Sequence, residues 1–355
     1  MKDKKLTDGI SFLVHDAIAN HVFPGCVVGV ILRGGKKTIL PFGKYTYDPG
    51  AKRVLEETIY DVASVTKAIP TSLLAFALIE EKKISLTTPL VNFVPEYRGM
   101  YREKITVFHL LTQTLAFPFS LSSFAHGTAE EIIKRILHAT LSDPPGFAYQ
   151  YTNTTSILLG IFLERVSGKK LDVLAKEYFF DPLFMTKTTF SPDVFSVEHI
   201  TPTEIVNGDS MQGVVHDESA RKLSSLIRVG SAGLFSTAGD LLLFLQMLLS
   251  GGIANNHHFF HPSTIAQMYT PITLQSGDRV GLGWEVNALW MGETHSQKSV
   301  GKTGFTGCFV FCDFEWGIGI VHLSNRTFPK RPDNGEAITS FRRSLINLMI
   351  SSVTS

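Results

Sequence analysis

The sequence predicts an α/β sandwich in which both ends of the chain contribute to one sheet and a helical lobe is inserted between them. Three observations predict it: strand patterns near the N-terminus, a long middle stretch of helical periodicity, and a return of strand patterns before a closing helix. Residues 6–19 read as an amphipathic helix. Residues 26–32 and 38–42, joined across Arg33-Gly34-Gly35-Lys36-Lys37, read as a β-hairpin. A β-like stretch, 58–63, leads into the apolar run 68–79. From residue 64 to about 190 helical patterns dominate, at 106–111, 129–137, 153–166 and 171–179, with loops around Pro118 and Pro144-Pro145. Strand patterns return at 281–286, 308–314 and 317–323, and 336–350 closes the chain as a helix. The expected division is an α/β lobe over 1–80 and 200–355 and a helical lobe over 81–199. Residues 201–223 read as a long loop and 251–256 as a surface turn.

Composition narrows the function classes. The 355 residues are 44% hydrophobic, ample for a globular interior. With 33 basic and 32 acidic residues the net charge is +1, which offers no electrostatic footprint for nucleic acid or an anionic membrane. A small-molecule or short peptide substrate is the expected partner, and nothing in the sequence sets an oligomeric state. Cys26, Cys308 and Cys312 form neither a disulfide framework nor a metal spacing, and ordinary packing is their expected role. The N-terminus lacks the apolar core of a signal peptide and no uncharged stretch reaches the length of a spanning helix, so a cytoplasmic protein is expected. Of the twelve histidines, His257, His258 and His261 cluster most densely, beside Pro262, where an exposed turn is the expected reading rather than zinc. No metal and no cofactor are expected.

Three short motifs carry chemistry. In Ser64-Val65-Thr66-Lys67 the i and i+3 positions share a helix face, so the Lys67 amine can stand beside the Ser64 hydroxyl and take its proton. The same spacing recurs at Ser167/Lys170, Ser219/Lys222 and Ser299/Lys302, but only Ser64 follows a β-like stretch and opens a helix, where free backbone N–H groups favour a developing anion. Tyr151-Thr152-Asn153, the one Y-x-N in the chain, precedes a helical run; its phenol can move protons while its amide holds a carbonyl. Lys302-Thr303-Gly304, the one K-T-G, precedes a β-rich run, placing a cation beside a nucleophile and a glycine where a substrate backbone comes close. Singly, Ser64 is as well explained as a helix cap, Tyr151 as a packed aromatic, Asn153 as a cap and Lys302 as a solvated charge. Their joint occurrence, in order and in suitable local structure, favours catalysis.

In that order the motifs resemble the penicillin-recognising serine hydrolases, meaning the β-lactamases, D,D-peptidases and related esterases. The tyrosine in the middle motif is similar to the class C β-lactamase branch. Residues 80–95 and Ala232-Gly233-Leu234-Phe235-Ser236-Thr237-Ala238-Gly239-Asp240 extend the likeness. Pro202-Thr203-Glu204, Gly213 to Glu218 and Leu323-Ser324-Asn325-Arg326 resemble a subgroup of penicillin-binding-protein and esterase homologues. The resemblance implies an antiparallel sheet flanked by helices with the site between two lobes. It also implies that Ser64 attacks a carbonyl while Lys67, aided by Tyr151, takes its proton, and that backbone N–H groups of Ser64 and Phe305 hold the oxyanion. Lys302 would keep Tyr151 and Lys67 poised, and Asn153 would orient the substrate and Lys67; His216 with Asp217 reads either as a pair steadying the long loop over the cleft, which the subgroup resemblance favours, or as a surface turn. Four positions depart from the pattern: Gln113, Leu115 and Ala116, in Leu110-Leu111-Thr112-Gln113-Thr114-Leu115-Ala116 where many relatives read Leu-Leu-Thr-His-Thr-Ser-Gly, and Phe184 where Gly is usual; all are expected to shape the cleft wall. Pro70, inside the nucleophile helix, predicts a kink near Lys67 because it removes a donor. The expected activity is hydrolysis of small esters or amides through an acyl-enzyme. The alternatives are a β-lactamase or D,D-carboxypeptidase, an acyltransferase, and a catalytically silent binding protein on the same fold.

Overall fold

The computed structural model describes residues 2–124 and 127–354. Its centre is a five-stranded, wholly antiparallel sheet of β1 (Gly25–Leu32), β2 (Lys37–Gly43), β3 (Ser299–Thr303), β4 (Phe309–Asp313) and β5 (Ile318–Ser324), in the order β3-β4-β5-β1-β2. N-terminal β1 therefore lies against C-terminal β5, with Cys26 opposite Ser324 and Leu32 opposite Ile318. Both ends of the chain build one sheet.

Strand periodicity divides the side chains between two layers. Cys26, Val28, Val30, Phe309, Phe311 and Ile320 face α1 (Lys2–Ala19) and the C-terminal helix, bounded by Glu336–Thr354. Val27, Ile31, Cys308, Val310, Cys312 and Val321 face the larger core, which includes the helix Ala238–Leu249 and the helical part of the chain. All three cysteines are buried and free. Gly29 lets the helix Ala238–Leu249 approach, since a Cβ there would meet Leu242 at 3.0 Å.

The run after Ser64 is not one kinked helix, as Pro70 suggested, but three pieces. A 3₁₀ turn, Ala63–Lys67, passes into a wide turn, Ala68–Ser72, and then into α2 (Leu73–Glu80), with Ile69 extended at φ −113°, ψ 109°. Ser72 Oγ donates to the Lys67 carbonyl at 2.7 Å, so a side chain satisfies a buried backbone acceptor within this break. The stretch Ala63–Glu80 is as long and apolar as a membrane span, but it forms the interior of this fold.

Two other expectations are corrected. Residues 201–223 form a hairpin, Pro202–Val206 paired with Asp209–Gln212, followed by the helix Glu218–Leu223. Asn207 and Gly208, both at positive φ, make its turn, and Asp217 caps the helix by accepting from Ala220 N at 2.8 Å. Residues 281–286 form no strand. Gly283 turns at φ 74°, and only Glu285 pairs with Gly301, giving β3 a single bridge on its outer edge.

Candidate active site

Ser64 stands where an extended segment turns abruptly. Tyr60–Asp61 pairs with Phe235–Ser236, and Ala63, at φ 47°, swings the chain into the 3₁₀ turn. The buried Asp61 carboxylate fixes that corner by accepting from Ala63 N at 2.8 Å and from His216 N at 2.7 Å. Burial raises the Asp61 carboxyl above its ordinary range, against the pull of those two donors.

One turn on, the buried Lys67 Nζ lies 2.9 Å from Ser64 Oγ, 2.8 Å from Asn153 Oδ1 and 2.9 Å from the Ser231 carbonyl. This geometry has a directional consequence. When Lys67 is neutral, its two N–H bonds are taken by Asn153 and Ser231, which leaves the lone pair toward the serine proton. Desolvation lowers the Lys67 amine below the ordinary lysine range, and the nearby Lys302 cation acts in the same direction.

Tyr151 lies just ahead of the helix Asn153–Ser167, whose cap is Thr152, accepting from Thr155 N at 3.2 Å. Asn153 is thus the first helical residue rather than the cap. The Tyr151 ring, 43% exposed to the cleft, has Lys67 Nζ 5.0 Å and Lys302 Nζ 4.4 Å from its centroid. Burial of the phenol raises its pKa, but Lys302, Lys67 and the Ser64 hydroxyl outweigh that and hold it below the ordinary tyrosine range.

Lys302 is buried rather than solvated, and its Nζ is 2.7 Å from Glu285 Oε1. Burial lowers its pKa, yet Glu285, Tyr151 and Tyr149 push it well above the ordinary range, so it remains an ammonium. The other Glu285 oxygen accepts from Trp290 Nε1 at 2.5 Å. Thr303 and Gly304 continue β3 into the cleft wall. A Cβ on Gly304 would lie 2.4 Å from the Val62 carbonyl, so glycine lets this segment close on the nucleophile turn. Arg342 Nη2 donates to the carbonyls of Gly304, Gly307 and Cys308 at 3.1 to 3.3 Å, and Arg326 Nε donates to Phe305 O at 2.9 Å.

The expected His216–Asp217 pair divides. His216 Nε2 meets Glu204 Oε2 at 3.1 Å and its ring stacks on Phe305, whereas Asp217 Oδ2 accepts from Asn153 Nδ2 at 2.9 Å. Asp217, Asn153, Lys67 and Ser64 therefore form one hydrogen-bonded chain. Of the departures, Leu115 is corrected, being buried in the core outside the cleft lining, whereas Gln113 lines the cleft. It holds the Y-x-N loop and the helix that follows, with its Nε2 donating to Ser156 Oγ at 2.7 Å and its Oε1 accepting from Thr152 N at 3.3 Å. Phe184 is corrected: at φ 59° it is largely exposed and lies outside the cleft lining.

The cleft holding Ser64, Lys67, Tyr151, Lys302, Thr303, Gly304 and Phe305 has a volume of about 850 Å³. A second cavity of about 1190 Å³, lined by Asn153 and Asp217, adjoins it, and Tyr151 lines both. The other S-x-x-K serines bond elsewhere: Ser167 to the Leu163 carbonyl, Ser219 to Asp217 and Ser299 to His295. His257 and His258 form a short exposed strand, and among the described residues no cluster of His, Cys, Asp and Glu has the makings of a metal site.

Sequence reasoning missed Glu285, Ser231, Asp61 and Arg342. Ser231 acts through a backbone carbonyl, which carries no sequence signal. The side chains of the other three act on distant partners, Glu285 on Lys302 17 positions away, Arg342 on Cys308 34 away and Asp61 on His216 155 away.

A family model described as Beta-lactamase matches residues 12–341. A protein of Escherichia coli (strain K12) that carries the name of a D-alanyl-D-alanine carboxypeptidase is 29% identical over 306 residues, covering 76% of this chain and 69% of its own length. Among solved structures, EstCE1, described as a hydrolase with promiscuous acyltransferase activity, superposes with TM-score 0.78 at 20% identity, covering 97% of this chain and 99% of its own. The octameric penicillin-binding protein homologue from Pyrococcus abyssi superposes with TM-score 0.72 at 25% identity, covering 92% of this chain and 74% of its own.

Proposed function

The chain belongs to the beta-lactamase family, whose members are serine hydrolases, and we propose that it cleaves small esters or amides through an acyl-enzyme formed on Ser64. The observation that carries this reading is the placement of Lys67 Nζ 2.9 Å from Ser64 Oγ, with its remaining hydrogen bonds taken by Asn153 and Ser231. An unassisted serine hydroxyl is a poor nucleophile at neutral pH, and a buried, depressed amine in contact with it supplies the base.

In the proposed cycle Ser64 Oγ attacks the substrate carbonyl carbon while its proton passes to Lys67, and Tyr151 shares the proton between base and leaving group. The carbonyl oxygen becomes an oxyanion held by the N–H groups of Ser64 and Phe305; each such donor typically contributes about 3 kcal/mol. Collapse expels the leaving alcohol or amine, which takes up a proton, and leaves an ester on Ser64. Water, deprotonated by the same groups, then releases the acid. Lys302 stabilises the phenolate form of Tyr151 without titrating itself, and Asn153 joins Lys67 to Asp217.

A D,D-carboxypeptidase or β-lactamase reading shares every one of these steps. The buried Lys302 and the name carried by the Escherichia coli relative favour it. Transfer of the acyl group to an acceptor other than water is a third outcome of the same intermediate. Turnover of a chromogenic cephalosporin and a short-chain p-nitrophenyl ester by wild type and Ser64→Ala separates the first two. Ser64-dependent ester hydrolysis with little cephalosporin loss supports the esterase reading, and cephalosporin turnover moves the assignment to the β-lactam side. Failure of both substrates, with no mass added to the protein, rejects the hydrolase reading for a binding protein on this fold.

A further inference from the structure

Four large apolar or aromatic side chains remain at least 40% exposed around one opening: Tyr149, Tyr151, Leu289 and Phe305 all line the Ser64 cleft. Isolated exposed apolar residues are ordinary on a protein surface and need no explanation, but a group of them around a single concave site does. Leu289 is the clearest case. It is 87% exposed, while the two residues that follow it in the same 3₁₀ turn, Trp290 and Met291, are buried. Trp290 is pinned twice, by its hydrogen bond to Glu285 and by its ring packed 5.6 Å from Phe309. A turn anchored in this way holds Leu289 out over the cleft as part of the fold, not through fraying.

On the stretch of wall from Tyr149 to Leu289 the charges are either paired or exposed at the rim, and the cations Arg326 and Arg342 lie on the opposite side with Phe305 and Gly304. Glu285 is taken up by Lys302 and Trp290, and Asp278 accepts from Tyr149 N at 3.1 Å and from Ser276 Oγ at 2.7 Å. Burial pushes the Tyr149 phenol up to about 12, so it stays neutral. Arg279 lies on the solvent rim. Val286 and Trp284 are buried lining residues of the same cleft and add apolar surface to it, alongside two donors unpaired among the described residues, Trp284 Nε1 and Asn287 Nδ2.

We infer that the wall between Tyr149 and Leu289 takes an uncharged, apolar arm of the substrate, an alkyl or aryl group running more than two carbons from the reacting carbonyl. The inference rests on Ser64 as the reacting residue and names the substrate class that the motifs leave open. A fully buried methylene is worth about fourfold in binding or in kcat/KM, so an arm seated on this half-open wall gains roughly tenfold or more from two to eight carbons.

The test uses two ester series, p-nitrophenyl acetate to octanoate and ethyl to octyl acetate, so that the arm is sampled on either side of the carbonyl. The expected result is a rise of about tenfold or more in kcat/KM with length in one series. Leu289→Glu is expected to cut the ratio of the longest to the shortest ester at least tenfold. Calorimetric binding of the same esters to Ser64→Ala and to Ser64→Ala/Leu289→Glu gives a readout independent of turnover. Tightening with length that is lost on adding Leu289→Glu upholds the inference even if no ester is hydrolysed, in which case the hydrolase reading alone falls. Affinities that do not change with length in either series, or a Leu289→Glu effect equal on short and long esters, overturn it.

Discussion

Replacing Lys302 by Met removes the cation that lies 4.4 Å from the Tyr151 ring and also acts on Lys67. Two unit charges about 4 Å apart interact by about 4 kcal/mol at an effective dielectric of 20. Glu285, 2.7 Å from Lys302 Nζ, opposes this field. If it cancels roughly half, about 2 kcal/mol remains, or some 30-fold in kcat/KM at neutral pH. The sign of the pH effect does not depend on which group is the base. Lys302 lowers the pKa of both Tyr151 and Lys67, so its removal raises both and moves the acidic limb of the kcat/KM profile to higher pH. Glu285→Gln acts oppositely on Tyr151, whose pKa Glu285 raises, so a limb set by Tyr151 moves to lower pH. Glu285→Gln also leaves a buried ammonium without its counter-ion, and a stability loss of about 3 kcal/mol is expected. Lys302→Met leaves a carboxylate that keeps its Trp290 hydrogen bond, and it costs less. The assay is ester hydrolysis across pH for the three proteins, with thermal melts as a folding control. A Lys302→Met limb that stays in place or moves to lower pH refutes the electrostatic role.

Three further outcomes are expected. Gln113→Ala removes one hydrogen bond to the Y-x-N loop, from Thr152 N, and one to Ser156 in the helix that follows, each worth about 1 kcal/mol, so stability should fall by about 2 kcal/mol in denaturant titrations. Its effect on kcat should largely vanish in a Tyr151→Phe background, because the clamp acts through that loop. Gly304→Ala places a Cβ against the Val62 carbonyl, forcing apart the segments that carry Ser64 and Phe305; kcat should drop about 100-fold with a melting temperature only a few degrees lower. For Asp217, burial raises the carboxyl, but bonds from Ser219 and Ala220, the Lys67 cation and Asn153 outweigh it and the pKa is lowered. A depressed carboxyl stabilises the fold above its unfolded pKa and loses that contribution as pH falls through the folded value. Asp217→Asn should therefore flatten the acid end of the stability profile, below about pH 4, as followed by circular dichroism.

What the sequence disclosed depended on how locally each feature is encoded. Ser64 and Lys67 are three residues apart and Tyr151 and Asn153 two, so their meeting could be read from spacing. β1 and β4 could be read as strands from their short, continuous apolar runs, which are buried on both faces because each face of the sheet is covered. Glu285 was hidden because it reaches Lys302 through one bridge to Gly301, in a stretch whose strand-like pattern is broken by Gly283. The segment 201–223 resembles a loop in sequence although Asn207-Gly208, between two short strands, is a strong hairpin signal. Its polar strands, Asp209–Gln212 especially, masked the alternation. Phe184 carries no local signal of its true place, a left-handed turn in which its side chain is exposed to solvent.

The most direct test of the central claim is rapid-quench peptide mass mapping of the protein mixed with p-nitrophenyl acetate, together with turnover by Ser64→Ala. An acetyl adduct on the peptide that contains Ser64, with turnover lost in the variant, is the predicted result. An adduct on another residue, or hydrolysis that continues undiminished in Ser64→Ala, would contradict it.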